Sequence, residues 1–222
     1  MTQVGGTCVV AIDYSMSCPC VGWFDTSGSR DFNFSNCNFQ IQHNKKLKKT
    51  PLPNHIEYIR LPNKFDSPEQ RWGMISSNII QGTACAVPKR VVALGLEDYS
   101  YSAQSNNMFN VGEHTGVLKH KLFCSGIVIT TVGISQWKKN SGAEGGGNAS
   151  KGQLLKRFKE IDPKGYEIIS SSFDIKITVS KSGKEMISSP VSDMVDTFFI
   201  LKYMVELLNA DPIARHKKGI YK

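Results

Sequence analysis

Apolar residues in this chain fall into two kinds of stretch, short β-branched runs and longer segments with helical spacing. Residues 9–12 (Val-Val-Ala-Ile) are almost wholly apolar and stop at Asp13, the pattern of a buried strand with a carboxylate at its C-terminal edge. Residues 21–24 and 32–41, with Phe32, Phe34 and Phe39 set among polar residues, predict two strands returning antiparallel, an opening meander. Ser67-Pro68-Glu69 supplies an N-cap, a proline at the first helical position and an acidic first turn. Trp72, Ile75, Ile79 and Ile80 give that helix its apolar stripe, and it ends near Gly82. Residues 91–96 then repeat the first apolar run and end at Glu97.

Val111, Thr115, Leu118 and Leu122 predict a second helix crossing the sheet, and residues 127–132 another strand. Gln136-Trp137-Lys138-Lys139 leads into a glycine-rich loop at 142–147. Residues 150–158 read as a helix with Leu154, Leu155 and Phe158 inward and Lys151, Lys156, Arg157 and Lys159 outward. Residues 167–179 alternate as a strand through Phe173, Ile175, Ile177 and Val179, with a turn at 180–184. Ser189-Pro190 opens a last helix, buried through Val191, Met194, Val195, Phe198, Leu201 and Val205 and running to about Asn209. Strands first, then alternating helix and strand, predict an α/β fold, a mixed sheet covered by helices. There is no internal repeat, and 222 residues suit a single domain over 1–222.

Lys and Arg number 27 against 19 Asp and Glu, and the pI near 9.2 suits a polyanionic partner such as nucleic acid. Residues 45–49 (Lys-Lys-Leu-Lys-Lys) precede Thr-Pro-Leu-Pro, a solvated turn or a phosphate contact. The six cysteines are mostly scattered, and Cys18-Pro19-Cys20 lacks the second pair or nearby histidine of a zinc set, so reduced thiols are expected. No apolar run reaches the ~20 residues that span a bilayer, and the N-terminus lacks secretory-signal regions. A cytoplasmic protein without membrane partners is the expectation.

The chemistry lies in four acids from distant parts of the chain. Two buried strands end in Asp13 and Glu97, and Asp193 and Asp196 stand three residues apart on the last helix, projecting to one side. Singly, each reads as a strand-end or helix-terminus acid. Gathered together they repel and raise one another's pKa unless cations intervene. Oxygen-only donors select Mg²⁺, with Mn²⁺ as substitute, over zinc. Two such ions about 4 Å apart would serve phosphodiester hydrolysis without a covalent nucleophile.

Residues 9–23 (Val-Val-Ala-Ile-Asp-Tyr-Ser-Met-Ser-Cys-Pro-Cys-Val-Gly-Trp) resemble the opening of the RuvC-type Holliday-junction resolvases, nucleases of the ribonuclease H-like superfamily. Residues 93–99 (Ala-Leu-Gly-Leu-Glu-Asp-Tyr) are similar to that family's second motif, and Gly116-Val117-Leu118 to the helix after it. Trp137-Lys138-Lys139, the glycine loop and residues 148–153 (Asn-Ala-Ser-Lys-Gly-Gln) resemble its basic third region. Residues 192–197 (Ser-Asp-Met-Val-Asp-Thr) resemble its closing Asp-x-x-Asp motif. The resemblance implies a ribonuclease H-like mixed five-stranded sheet with helices on both faces, plus insertions near 36–66 and 162–188. It implies that Asp13, Glu97, Asp193 and Asp196 bind metal and, with Lys151, form the catalytic set. Lys138, Lys139 and Lys151 would contact DNA. It further implies a homodimer making paired cuts in four-way DNA junctions. Asp98 falls on the other face of its strand and is not included.

Rival readings remain open. Length argues against an actin-like ATPase, and Tyr14-Ser15 after Asp13 excludes the Asp-x-Glu of polymerase-type exonucleases. Broad cutting of branched or RNA-containing substrates, or DNA binding without cleavage, is compatible with the same residues. Trp137, Tyr99, Tyr101 and Phe109 are candidates for base stacking or for packing. His114 and His120 lie six apart on one helix and do not share a face. The basic tail around His216, Lys217, Lys218 and Lys222 reads as a solvated terminus.

Overall fold

In the computed structural model, which describes residues 7–15, 18–28, 31–45, 47, 51–85, 90–98, 105–180 and 183–210, the first apolar run is the centre of a sheet. Strand β1 (Thr7–Asp13) pairs antiparallel with β2 (Cys20–Asp25), which pairs antiparallel with β3 (Cys37–His43). On its other side β1 pairs in parallel with β5 (Arg90–Glu97), and β5 with β6 (Ile129–Val132). The meander is therefore as expected. A sixth strand, β4 (Ile56–Arg60), comes from the region expected as an insertion and runs parallel to β3, giving the order β4-β3-β2-β1-β5-β6. Its Ile-Glu-Tyr-Ile-Arg alternates with only Ile56 buried, as suits an edge strand.

Side-chain alternation on β1 divides the core. Cys8, Val10 and Ile12 point to one face, where they meet Leu94 and Leu96 and the helices α1 (Pro68–Cys85) and α2 (Ser105–Cys124). Val9 and Ala11 point to the other, against α6 (Val191–Ala210). Every residue from 191 to 201 in α6 is buried, so the first three turns of this helix are enclosed on all sides, and solvent is met only further along, as at Glu206 and Leu207. Two glycines allow it to lie close to the strands. A Cβ on Gly22 would come 2.9 Å from Thr197 Cγ2, and one on Gly95 would come 2.6 Å from Met204 Cγ.

Between β6 and α6 lie α3 (Ile134–Ser141), α4 (Lys151–Ile161) and α5 (Pro163–Ser172). Over residues 167–172 the expected strand is helix α5 instead. Asp162 caps it, accepting from Gly165 N at 2.8 Å and from Phe34 N at 2.6 Å, and Pro163 fills its first position. Only the end of the expected strand survives, as β7 (Ile177–Val179). It forms a two-stranded ribbon with β8 (Glu185–Ile187) across the expected turn, where Gly183 takes φ +77°. Tyr99, Tyr101, Lys46, Lys48, Lys49 and the basic tail lie outside the described residues. Among the described residues no helix is long and apolar enough to cross a membrane.

Candidate active site

The parallel pairing of β1 and β5 sets Ile12 beside Leu96, so Asp13 and Glu97 finish neighbouring strands side by side. Alternation then fixes where they point. Asp13 follows Val9 and Ala11, and Glu97 follows Ala93 and Gly95, toward the face covered by α6. Helix α6 presents Asp193 and Asp196 from its first turns. Asp13, Asp193 and Asp196 are 3 %, 4 % and 2 % exposed, while Glu97 is half-buried.

Burial lifts the Asp13 carboxyl well above the usual carboxylate range, and the charges of Glu97 and Asp193 lift it further; only Lys151 opposes this. Glu97 is also raised by burial, but Lys151, a hydrogen bond with Asp13, another with Trp137 and the charge of Lys138 hold it back. Burial thus disfavours the charged form of both strand-end carboxyls, and more strongly at Asp13, which has only Lys151 to offset it. Trp137 Nε1 donates to Glu97 Oε1 at 3.0 Å from a wholly buried ring, which rules out base stacking by this tryptophan and gives it a positioning role. Replacing Trp137 with Phe keeps the ring packing and removes this bond, with an expected loss of roughly 1.5–3 kcal/mol in thermal or denaturant unfolding.

A capping box places Lys151. Ser150 Oγ accepts from Gln153 N at 3.2 Å, and Gln153 Oε1 accepts from Ser150 N at 2.8 Å, so α4 begins at Lys151 with its side chain over the acids. Its ammonium is paired with Asp196 Oδ2. Lys138 Nζ donates to Ala149 O at 2.9 Å, so it ties α3 to the start of α4, while Lys139 stays on the exposed side of α3. Of the basic residues singled out, Lys151 alone makes an ion pair with one of the four acids among the described residues.

Some neighbours of the acids carried no distinguishing sign in the sequence. Ser192 Oγ donates to Asp193 Oδ2 at 3.2 Å, and Thr197 Oγ1 donates to Asp193 O at 2.7 Å. Cys18, a buried free thiol, is hydrogen-bonded to Asp193; burial, with the charges of Asp193, Cys20 and Asp13, pushes its pKa upward, so it stays a thiol. His43, at the end of β3, has its pKa lowered by burial and by Lys45, with Asp193 acting in the opposite sense. His114 stacks on Tyr14 at 4.0 Å on the opposite face of the sheet, away from His120. Phe109 remains 73 % exposed on α2.

The donor set is all oxygen, as a hard divalent cation requires, and Asp196 Oδ1 is buried without a hydrogen-bond partner. Among the described residues no three ligand-type side chains yet converge as a ready cation site. Lys151 occupies Asp196. The residues fit a divalent ion once that ammonium gives way and the strand-end carboxyls are ionised.

No family model matches the chain, and no curated protein does. Among solved structures, RuvC from Thermus thermophilus is similar with a TM-score of 0.51 and 15 % identity, covering 90 % of this chain and 96 % of that one. T. thermophilus RuvC in complex with a Holliday junction substrate is similar at 0.50 and 14 %, covering 90 % and 95 %. At this distance the likeness concerns architecture: the chain has a RuvC-like, ribonuclease H-like α/β fold built on a six-stranded mixed sheet.

Proposed function

We propose that this protein is a metal-dependent endonuclease that hydrolyses phosphodiester bonds in branched DNA, four-way junctions foremost, and acts as a homodimer making paired cuts. The observation that carries this reading is that Asp13 and Glu97 end neighbouring strands on the face covered by α6, with Asp193 near enough to act on Asp13 and Asp196, paired with Lys151, three residues further along α6. Its net positive charge suits the substrate. The RuvC-like fold, seen elsewhere in complex with a Holliday junction, agrees with it.

In this mechanism Asp13, Glu97, Asp193 and Asp196 would hold two Mg²⁺ ions, or Mn²⁺ in their place. Bound there, the ions would supply activation of water and stabilisation of the leaving oxygen for phosphodiester hydrolysis. Trp137 keeps Glu97 aimed inward, and Ser192 and Thr197 hold Asp193. Lys151, freed from Asp196, faces the scissile phosphate and offsets its charge, while Lys138 and Lys139 extend a basic path for the DNA backbone. The substrate in this reading is DNA in the cytoplasm.

The test is cleavage of labelled four-way junction, flap and linear duplex in Mg²⁺, Mn²⁺ or EDTA. Symmetric, EDTA-sensitive nicks on the junction support the reading, and equal cutting of all branched forms widens the substrate. A second reading, structure-specific binding without cleavage, draws on the Lys151–Asp196 pair, which fills one acid with a fixed cation. Junction binding with no cutting in either metal would establish it.

A further inference from the structure

The basic run at 45–49 takes no part in the centre described above, yet its first residue stands on the same rim of the sheet. Strands β1, β3 and β4 run in one direction, so their C-terminal ends share an edge. Register carries a row of side chains across it. Asp13 lies opposite Cys20, Cys20 opposite Ile41, and Ile41 beside Tyr58; two residues further on, His43 lies beside Arg60. Two-residue steps keep the same face, so His43 and Arg60 belong to the face that carries α6 and the acids. The charge of Asp193 reaches His43.

Lys45 is built into this rim. Its backbone N donates to His43 Nδ1 at 3.0 Å, its carbonyl accepts from Tyr58 Oη, and two residues further on Leu47 packs against the core. The side chains of Lys45 and Arg60 are exposed, and neither makes an ion pair among the described residues. The acid of β4, Glu57, alternates to the opposite face and accepts from Gln40. Lys46, Lys48 and Lys49 add three charges to the same run of sequence. Beyond the acids on the other side, Lys138 acts on Glu97 and Lys151 pairs with Asp196, so cations flank the centre on both sides. Neighbouring strands lie about 4.8 Å apart, which sets β4 roughly 14 Å from β1. One strand of duplex DNA carries a charge about every 3.4 Å along its axis, so that span is about four phosphates. An extended chain of regularly spaced anions suits both groups of cations at once.

We propose that the β3–β4 rim binds the DNA backbone through Lys45 and Arg60, a few nucleotides from the scissile phosphate, with His43 and Tyr58 holding Lys45 in place. The backbone then crosses the acids between two groups of cations, Lys45 and Arg60 on one side and Lys138 and Lys151 on the other. Such a contact positions the DNA and reads no sequence. The proposal rests on the reading of the protein as a branched-DNA nuclease.

The experiment measures binding of a labelled four-way junction in EDTA, so that no strand is cut, across a sodium chloride series. Each phosphate contact contributes about 0.9 to the slope of log affinity against log salt. The Lys45→Ala/Arg60→Ala double variant should therefore give a slope shallower by about 1.8 and binding roughly tenfold weaker at low salt. Thermal melting should stay unchanged, because both side chains are exposed. Lys45→Arg/Arg60→Lys keeps both charges and should hold the wild-type slope. Lys159→Ala/Lys164→Ala removes two exposed charges close in sequence to Asp162, which is bonded to Phe34 just before the far end of β3, and should also hold it. Equal losses in this control would overturn the rim, since net charge alone would then explain them. A loss in the charge-keeping variant as large as in the alanine variant would overturn it too. Junction binding with an unchanged slope in the alanine variant rejects the rim and leaves the nuclease reading intact. Absence of any junction binding by wild type rejects both.

Discussion

Asp13→Asn should yield a folded protein that binds the four-way junction within a few-fold of wild type and cuts it at least 1,000-fold more slowly, about 4 kcal/mol of lost transition-state stabilisation. The substitution is nearly isosteric, so β1 and its pairing with β2 and β5 persist. It removes the carboxylate that sits between Glu97 and Asp193. The same change should also alter how metal-free stability depends on pH. Asp13 and Glu97 both titrate higher in the folded state than in an unfolded chain. Over that range these two groups bind more protons in the native state than in the unfolded state, so their contribution to stability is fullest at acid pH and is lost as pH rises from about 4 through their raised values. The amide that replaces the carboxyl cannot ionise. Melting temperatures in EDTA should therefore fall less with rising pH in the variant, and the same junction assay reads the loss of cutting. Cutting at the wild-type rate would sink the assignment of Asp13.

Lys151→Met should cost stability without metal and recover it with metal. Asp196 is almost wholly buried, one of its oxygens has no partner and the other rests on Lys151. Removing the ammonium strands a buried charge. Breaking a fully buried pair costs ~3–5 kcal/mol; Lys151 is 28 % exposed on its side chain, so about 2 kcal/mol is expected here. Mg²⁺ or Mn²⁺ then meets a carboxylate with no internal competitor. Thermal shift in EDTA against a metal titration reads both effects: a lower starting melt, then a larger rise at lower metal concentration than in wild type. Cleavage should still fall, because the same lysine is assigned to the phosphate. An unchanged metal-free melt would show that the ion pair contributes nothing to the fold.

Much of this geometry is legible because two different periodicities end in acids. A β-branched run that stops at Asp13, and a second that stops at Glu97, fix both the strands and the register of their carboxylates. The spacing of Asp193 and Asp196 fixes their common side on a helix. Helix α5 is hidden because Phe173, Ile175, Ile177 and Val179 alternate convincingly. Asp162-Pro163, a helix start, lies just upstream of that pattern and wins locally. The strand β4 is hidden because an edge strand needs only one buried side chain, and Ile56 alone carries no visible pattern. The hydrogen bonds from Trp137 to Glu97 and between Cys18 and Asp193 depend on how α3 and the 18–20 segment pack, which spacing along the chain does not encode.

The enclosure of α6 has a consequence for when the protein can act. Its buried stretch supplies two of the four acids and fills the space between β1, β2 and β5, so neither the helix nor the sheet face is stable without the other. A chain that has formed only its opening meander holds Asp13 alone, without Glu97, Asp193 or Asp196 beside it. On the proposed nuclease reading, folding would thus serve as a safety interlock: the power to break DNA would arrive in one step, with the closing of the core, and leave with it.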